Sequence, residues 1–317
     1  MTDKIEIFKK YISEIYTDRH EEIINHLVKK PLTFRITNKA KTDNYVLENL
    51  SEQGFIITNS VFKNSYIVEK LPENQKLSET SIYKDGLIYI QELSSMIPPI
   101  LLNPKENDEI LDIAAAPGSK TTQLSDLANN NCHITAIEKS YDRLNMLKRN
   151  LVMYNIPNTH VIHGNGIKFD LRNPQYANFF DKSMVDAPCS SEGRFDLSNP
   201  KSYKFWNPKK RREMSKIQKG LLVSAYRMTK PGGTLVYSTC TFGLEENELV
   251  IDWFLDKVKD AILMEIDMHS LNIKNFIKGF TTYRDKLINP EITKTRRIIP
   301  NNIFGGFYIA KIRKPNF

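Results

Sequence analysis

The sequence predicts an α/β chain: a parallel sheet with helices on both faces, preceded by a small α+β unit. Three observations carry this. Short apolar runs at 109–113, 133–137, 160–163, 184–185 and 234–238 alternate with helical patterns at 120–128, 141–154, 208–229 and 246–258. Strands that alternate with helices in this way pair in parallel. The first of the runs leads into a string of small residues, and two others end in a cysteine.

Composition bounds the rest. With 317 residues, 40% hydrophobic and 26% charged, the chain can bury a substantial core, and more than one domain is expected. The formal net charge of +8 fits a polyanionic partner. Three cysteines, Cys132, Cys189 and Cys240, are neither a disulfide framework nor a Cys/His metal cluster. No metal is expected, and the thiols read as reduced. The opening Met1-Thr2-Asp3-Lys4 is charged and lacks a signal-peptide core, and no apolar run is membrane-length. A cytoplasmic monomer without a membrane partner is therefore expected.

Along the chain, Phe8, Ile12, Ile15, Ile23, Ile24 and Leu27 recur at helical spacing, so residues 1–30 form one or two helices. Residues 31–85 mix strand-like pieces at 34–37, 55–57 and 65–68 with a helical one at 45–50. Such an RRM-like unit could present a sheet or an edge to RNA, or serve only as a packing module. Pro72, Asn74 and Ser78 loosen the chain before the larger unit, residues 86–317. Runs at 262–266 and 307–312 read as closing strands.

After the strand at 109–113 come Ala114, Ala115, Ala116, Pro117, Gly118, Ser119 and Lys120, running into a helix. Small residues let a ligand approach the backbone, and helix-start amides can hold a polar or anionic group. The loop is neither GxGxxG nor a Walker sequence. Glu138 ends the next strand, where a carboxylate can accept from ribose hydroxyls. Asn165 follows the third, where an amide can read an adenine edge. A tight turn of any α/β fold is the plainer alternative for the loop alone.

Cys189, in Asp186-Ala187-Pro188-Cys189, and Cys240, in Ser238-Thr239-Cys240-Thr241, each follow an apolar strand. Ligands bind beyond the carboxyl ends of parallel strands, so both thiols should face the cofactor side. A lone cysteine is more often a small buried hydrophobe, but two at equivalent strand ends strain that explanation.

These motifs, in order, resemble the RsmB/Nop/Sun family of RNA cytosine-5 methyltransferases. The resemblance rests on residues 112–122, the two cysteine motifs, Glu245-Glu246-Asn247-Glu248, Tyr89-Ile90-Gln91-Glu92-Leu93-Ser94-Ser95-Met96 and Pro231-Gly232-Gly233. It covers roughly residues 31–313. Residues 114–122 and 206–248 most resemble the bacterial small-subunit rRNA branch, RsmF. The resemblance implies a Rossmann-like class I S-adenosylmethionine methyltransferase fold, with S-adenosylmethionine as cofactor. It implies Cys240 as nucleophile, Cys189 in resolving the adduct, Asp186 on the base, and Lys120 near the methyl and the base. Ala114 through Lys120 would wrap the methionine part, Glu138 the ribose and Asn165 the adenine, with Asp186 also touching the cofactor and Arg143 supporting the ribose end. Three positions depart from the pattern: Ala114 stands for a frequent cysteine, Asn165 for the usual Asp, and Ser191 for a glycine.

The partner implied is RNA, rRNA first and tRNA second. Lys209-Lys210-Arg211-Arg212 and Lys294, Arg296, Arg297 could neutralise phosphates, with Tyr203, Phe205 and Trp206 stacking on bases. Larger bacterial relatives carry an additional C-terminal RNA-binding domain, which this sequence is not expected to contain. The competing readings are a catalytically silent RNA-binding or assembly protein on the same scaffold, and a DNA cytosine methyltransferase with its nucleophile in the Pro-Cys motif. A small-molecule methyltransferase would need neither the paired thiols nor the basic surface.

Overall fold

The computed structural model describes residues 4–316; Met1-Thr2-Asp3 of the charged opening lie outside the described residues. The N-terminal apolar spacing forms two helices, α1 (Lys4–Ile15) and α2 (His20–Asn25). Their buried stripe, Phe8, Ile12, Ile23 and Leu27, joins Phe195, Trp206 and Phe242 in one cluster. The helices are thus packed onto the larger unit.

The small unit comprises β1 (Leu32–Ile36), α3 (Asp43–Glu52), β2 (Ile56–Asn59), β3 (Ser65–Lys70), α4 (Ser81–Lys84) and β4 (Ile88–Ile90). Its four strands pair antiparallel in the order β2-β3-β1-β4. The sheet runs past residue 85, because β4 is needed to cover the free edge of β1. One face buries Phe34, Ile36, Tyr66 and Val68 against Val46 and Leu50 of α3. The other, with Arg35 and Ile67, is not open to RNA. Arg35 is 5% exposed, with its guanidinium bonded to Gln91, Thr122 and Asp126. On this face the unit is a packing module, while β2 at the sheet edge and the end of β3 stay exposed.

The larger unit continues with α5 (Leu93–Leu102), β5 (Glu109–Asp112), α6 (Ser119–Leu127), β6 (His133–Glu138), α7 (Tyr141–Met153), β7 (Thr159–His163), α8 (Phe169–Arg172) and β8 (Phe180–Asp186). Then come α9 (Pro208–Met228), β9 (Thr229–Thr239), α10 (Glu248–Lys257), β10 (Ile262–Met264) and β11 (Phe276–Lys278). A short hairpin, β12 (Thr282–Tyr283) and β13 (Lys286–Leu287), precedes β14 (Arg296–Ile298) and β15 (Phe307–Arg313). The sheet order is β11-β14-β15-β9-β8-β5-β6-β7, with β10 beside β15. Strands β9, β8, β5, β6 and β7 are mutually parallel, while the tail strands add antiparallel. This is a class I methyltransferase α/β fold with a small antiparallel N-terminal sheet.

Side-chain alternation fills both faces. Leu111, Val185, Leu235 and Tyr237 pack with residues of α9 and α10; Ile110, Met184 and Val236 pack with those of α5 and α6. Each such burial is worth roughly 1.5–3 kcal/mol. The central strands are therefore locked in register, and what matters for function is the row of residues at their carboxyl ends. Among the described residues, no helix is long and apolar enough to cross a membrane, and no group of three or more His, Cys, Asp or Glu side chains could hold a metal ion.

Candidate active site

The strand order sets the site. Reading across the carboxyl edge, Cys240 follows β9, Asp186 ends β8 with Cys189 three residues on, and Ala114 to Lys120 follow β5. Glu138 ends β6, and Asn165 lies two residues past β7. Every site residue expected from the sequence thus falls on one edge, in an order that separates two halves.

In the first half, the Cys189 and Cys240 sulfurs are 3.2 Å apart, and both thiols are free. The Cys240 thiol is held below its ordinary pKa, first by a hydrogen bond from Cys189 and then by the Arg194 guanidinium, against the opposing effect of burial. The Cys189 thiol is held well above its ordinary value, by the same bond and then by burial. Cys240 is therefore the first of the pair to ionise, with the proton of the contact on Cys189. The backbone fixes the arrangement: Gly193 N donates to Cys240 O at 2.9 Å.

Lys120 joins the halves. It is 6% exposed, and its Nζ donates to Asp186 Oδ2 at 2.6 Å and to Ser95 Oγ at 2.7 Å. Ser238 Oγ donates to Asp186 Oδ1 at 2.9 Å. Lys120 is therefore not an exposed helix-start lysine. Its ammonium and the Ser238 hydroxyl hold the Asp186 carboxylate in one orientation beside the thiols, and Ser95 steadies the ammonium.

In the second half, the loop after β5 is built for close approach. Gly118 has φ +106° and caps α6, and a Cβ there would lie 2.8 Å from Leu147 Cδ1. Thr121 Oγ1 donates to Asp112 Oδ2 at 2.7 Å beneath the loop, and burial lifts Asp112 to about 7. Arg143 donates to the Ala116 carbonyl and lies 3.9 Å from Glu138, while Asn150 Nδ2 donates to Pro117 O at 2.7 Å. Arg143 thus braces the loop and stands beside the Glu138 carboxylate. Glu138 is buried; its Oε1 accepts from Ser140 N at 2.8 Å. Asn165 Oδ1 accepts from Ile167 N at 3.1 Å.

This donor set fits S-adenosylmethionine. The α6 amides and small-residue loop suit the methionine part, the Glu138 carboxylate suits ribose hydroxyls and the Asn165 amide suits adenine. The two halves meet at Lys120 and Asp186, between the cofactor loop and the thiols.

Several functional residues were not singled out from the sequence. Ser95 and Ser238 lie inside quoted motifs without an assigned role. Glu192 is fully buried, accepting from Trp206 Nε1 at 2.9 Å, Thr241 Oγ1 at 2.7 Å and Phe242 N at 3.2 Å. It ties the two cysteine loops to the start of α9, and nothing local in the sequence marks it.

The basic clusters divide differently from expectation. Arg211 is 5% exposed, lies 3.3 Å from Glu192 and is seated over the Tyr11 ring. Arg296 pairs with Glu265, Lys294 with Glu291, and Arg297 is buried against Glu248, with its Nε 2.6 Å from Oε1. Trp206 is buried too. Arg211, Arg296, Arg297 and Trp206 are thus structural and cannot reach phosphates or bases, whereas Lys294 stays partly exposed in its surface pair. Lys204, Phe205, Lys209 and Arg212 remain exposed.

Comparison with known proteins gives the family. The family profile described as 16S rRNA methyltransferase RsmB/F matches residues 99–313. The tRNA (cytosine(49)-C(5))-methyltransferase of Pyrococcus abyssi is 42% identical over 231 residues, 73% of this chain and 71% of that protein. The ribosomal RNA small subunit methyltransferase F of Escherichia coli is 42% identical over 179 residues, 56% of this chain but only 36% of that enzyme. The RsmF resemblance is thus matched in identity, and exceeded in length, by a tRNA enzyme. A crystal structure of a methyltransferase homolog protein from Pyrococcus horikoshii superposes with a TM-score of 0.81 at 30% identity, covering 97% of this chain and 94% of that one. The chain therefore belongs to the RsmB/F family of S-adenosylmethionine-dependent RNA cytosine-5 methyltransferases.

Proposed function

We propose that Cys240 attacks carbon 6 of the target cytosine and Cys189 resolves the resulting adduct, with Asp186 and Lys120 holding the base. The 3.2 Å contact between the two sulfurs carries this reading. Carbon 5 of cytosine is a poor nucleophile. Addition of the Cys240 thiolate to carbon 6 makes an enamine whose carbon 5 is electron-rich. S-adenosylmethionine supplies the methyl carbon, made electrophilic by its sulfonium. Asp186 accepts from the exocyclic amine, and the Lys120 ammonium offsets charge that develops on the ring.

Release follows from the thiol pair. While Cys240 is a thiolate, Cys189 keeps its proton. Once Cys240 is a neutral thioether, that hold is gone; Cys189 gives its own proton to water, and the thiolate that results accepts the carbon-5 proton. Elimination then expels Cys240 as a thiolate, which is a fair leaving group. The four polar groups around the base are all present and oriented, which argues against a silent scaffold. The test is a pair of variants with labelled RNA. Cys240→Ala should abolish methylation and adduct formation, whereas Cys189→Ala should accumulate a covalent RNA adduct. Adduct formation by Cys240→Ala and not by Cys189→Ala would reverse the roles.

For substrate, tRNA carrying cytosine 49 is the first to try and small-subunit rRNA the second, since the tRNA enzyme matches the larger share of this chain. The target must be unpaired or flipped, because a duplex hides carbon 6. Lys204, Phe205, Lys209 and Arg212 are the exposed groups best placed to meet the strand, flanking Trp206, which packs with Phe242 beside the Cys240 loop. Bisulfite sequencing of RNA from cells with and without the gene reads the position directly.

A further inference from the structure

Four oxygens form a chain beneath the two cysteine loops. Glu246 Oε1 lies 2.5 Å from Ser190 Oγ, Ser190 Oγ lies 2.6 Å from Thr241 Oγ1, and Thr241 Oγ1 lies 2.7 Å from Glu192 Oε2. All four residues are buried. Each contact is a normal O–H···O length and needs one hydrogen. The two hydroxyls supply two hydrogens for three contacts. With both carboxyls ionised, one pair of oxygens would face each other without a proton, inside a buried site where that repulsion is costly. A third proton must be present.

Its location follows from the remaining partners. Glu192 accepts from Trp206 Nε1 and Phe242 N and faces the Arg211 guanidinium, an environment for a carboxylate. At Glu246, Oε2 accepts two N–H groups, Ser190 N at 3.0 Å and Gln218 Nε2 at 2.9 Å, while Oε1 touches only the Ser190 hydroxyl. That is the pattern of a carboxylic acid, with Oε2 as carbonyl and Oε1 as hydroxyl.

We propose that Glu246 is a positioning residue that works as a neutral acid, donating to Ser190, and that its proton holds the Cys189 loop against the Cys240 loop. Ser190 adjoins Cys189 and Thr241 adjoins Cys240, so the relay Glu246 to Ser190 to Thr241 to Glu192 fastens one loop to the other. Burial, then the nearby Glu192 charge, raises Glu246 to about 7 against the hydrogen bonds that lower it. The titratable and charged groups around it are Glu192 with Arg211 of α9, Cys189, Tyr237 of β9, Glu245, and Glu248 held by Arg297. Loss of the proton leaves the Ser190–Thr241 contact without a hydrogen and parts the loops. The functional consequence rests on the assignment of Cys189 to release: as pH rises, adduct should accumulate relative to product.

The first test reads the protein alone. With glutamate carbon-13-labelled at the side-chain carboxyl, NMR should show one glutamate still protonated at about pH 6 that titrates near neutrality, well above an ordinary glutamate. That signal should be lost in Glu246→Gln. If every glutamate is ionised at that pH, or the neutral signal persists in Glu246→Gln, the inference is overturned, whatever the fate of the cysteine assignment. The second test reads function. A glutamine amide donates to Ser190 at every pH, so Glu246→Gln should retain turnover and lose the rise in adduct-to-product ratio, whereas Glu246→Ala should lose turnover. A Glu246→Gln profile that rises with pH as the natural enzyme's does would equally overturn it.

Discussion

The Cys189 sulfur sits 3.2 Å from the Cys240 sulfur, across 51 residues of chain. Because Cys189 donates to Cys240 across that contact, Cys240 is the first of the two thiols to ionise as pH rises. Cys132 offers an internal control: burial, then Asp108 and Glu109, pushes its thiol to about 11. Thiolates react with iodoacetamide and thiols do not, so a lowered pKa moves reactivity to lower pH and a raised one to higher pH. A short alkylation pulse read by mass spectrometry across pH should label Cys240 first, below its ordinary value of 9.0, and Cys189 and Cys132 only at higher pH. Labelling of Cys189 ahead of Cys240 would contradict the placement of the proton.

Ser191 occupies the left-handed region at φ +60°. The family resemblance puts a glycine there, and the backbone shows why: only glycine adopts that conformation without a Cβ penalty. The Ser191 hydroxyl lies 3.9 Å from Cys189 Sγ and 3.5 Å from Cys189 O and also hydrogen-bonds Cys240, weak contacts that offset only part of the strain. Ser191→Gly should therefore stabilise the fold by about 1 kcal/mol. Thermal melting at fixed pH checks this, and a lower melting temperature would mean that the hydroxyl contributes more than the strain costs.

The site was legible because its residues announce themselves locally. Asp186, Cys189 and Cys240 follow apolar strands, and the parallel order of those strands fixes which edge they share. The α/β alternation was legible for the same reason. What stayed hidden depends on contacts between distant segments. Arg296-Arg297-Ile298 reads as a basic run, yet it is a strand whose charges are met by Glu265 and Glu248, 31 and 49 residues away. Charge counting cannot see such a partner. Pro98-Pro99 obscured α5, which tolerates them within a short buried helix. The sequence left the small unit open between an RNA-facing sheet and a packing module, because Asp126 and Thr122, the partners of Arg35 on β1, lie in the other unit.

Asn165 stands in the cofactor half where the family pattern has a carboxylate, and its Oδ1 already accepts from Ile167 N at 3.1 Å. A carboxylate would keep that bond with one oxygen and offer a charged acceptor to the adenine amine with the other. Asn165→Asp should tighten S-adenosylmethionine binding by about 1 kcal/mol, roughly fivefold in Kd. Isothermal titration measures it. No change would place the adenine amine beyond reach of this side chain.

Arg297 and Lys209 carry the same charge in two clusters that look alike in sequence, and they should behave in opposite ways. Arg297 is fully buried, with Glu248, Tyr16 Oη and the Phe242 carbonyl as partners. Removing it strands the Glu248 carboxylate, so Arg297→Ala should cost about 3–5 kcal/mol of stability. Any loss of RNA binding would then track unfolding. Lys209 and Arg212 stand in solvent at the start of α9. Replacing both with alanine should leave the melting temperature nearly unchanged and weaken RNA binding. If each meets one phosphate of a single strand, the slope of log affinity against log salt should shrink by about 0.7 per residue. Melting curves and salt-dependent binding on the same two proteins separate the roles. An unchanged salt slope in the double variant would move the RNA path to another face.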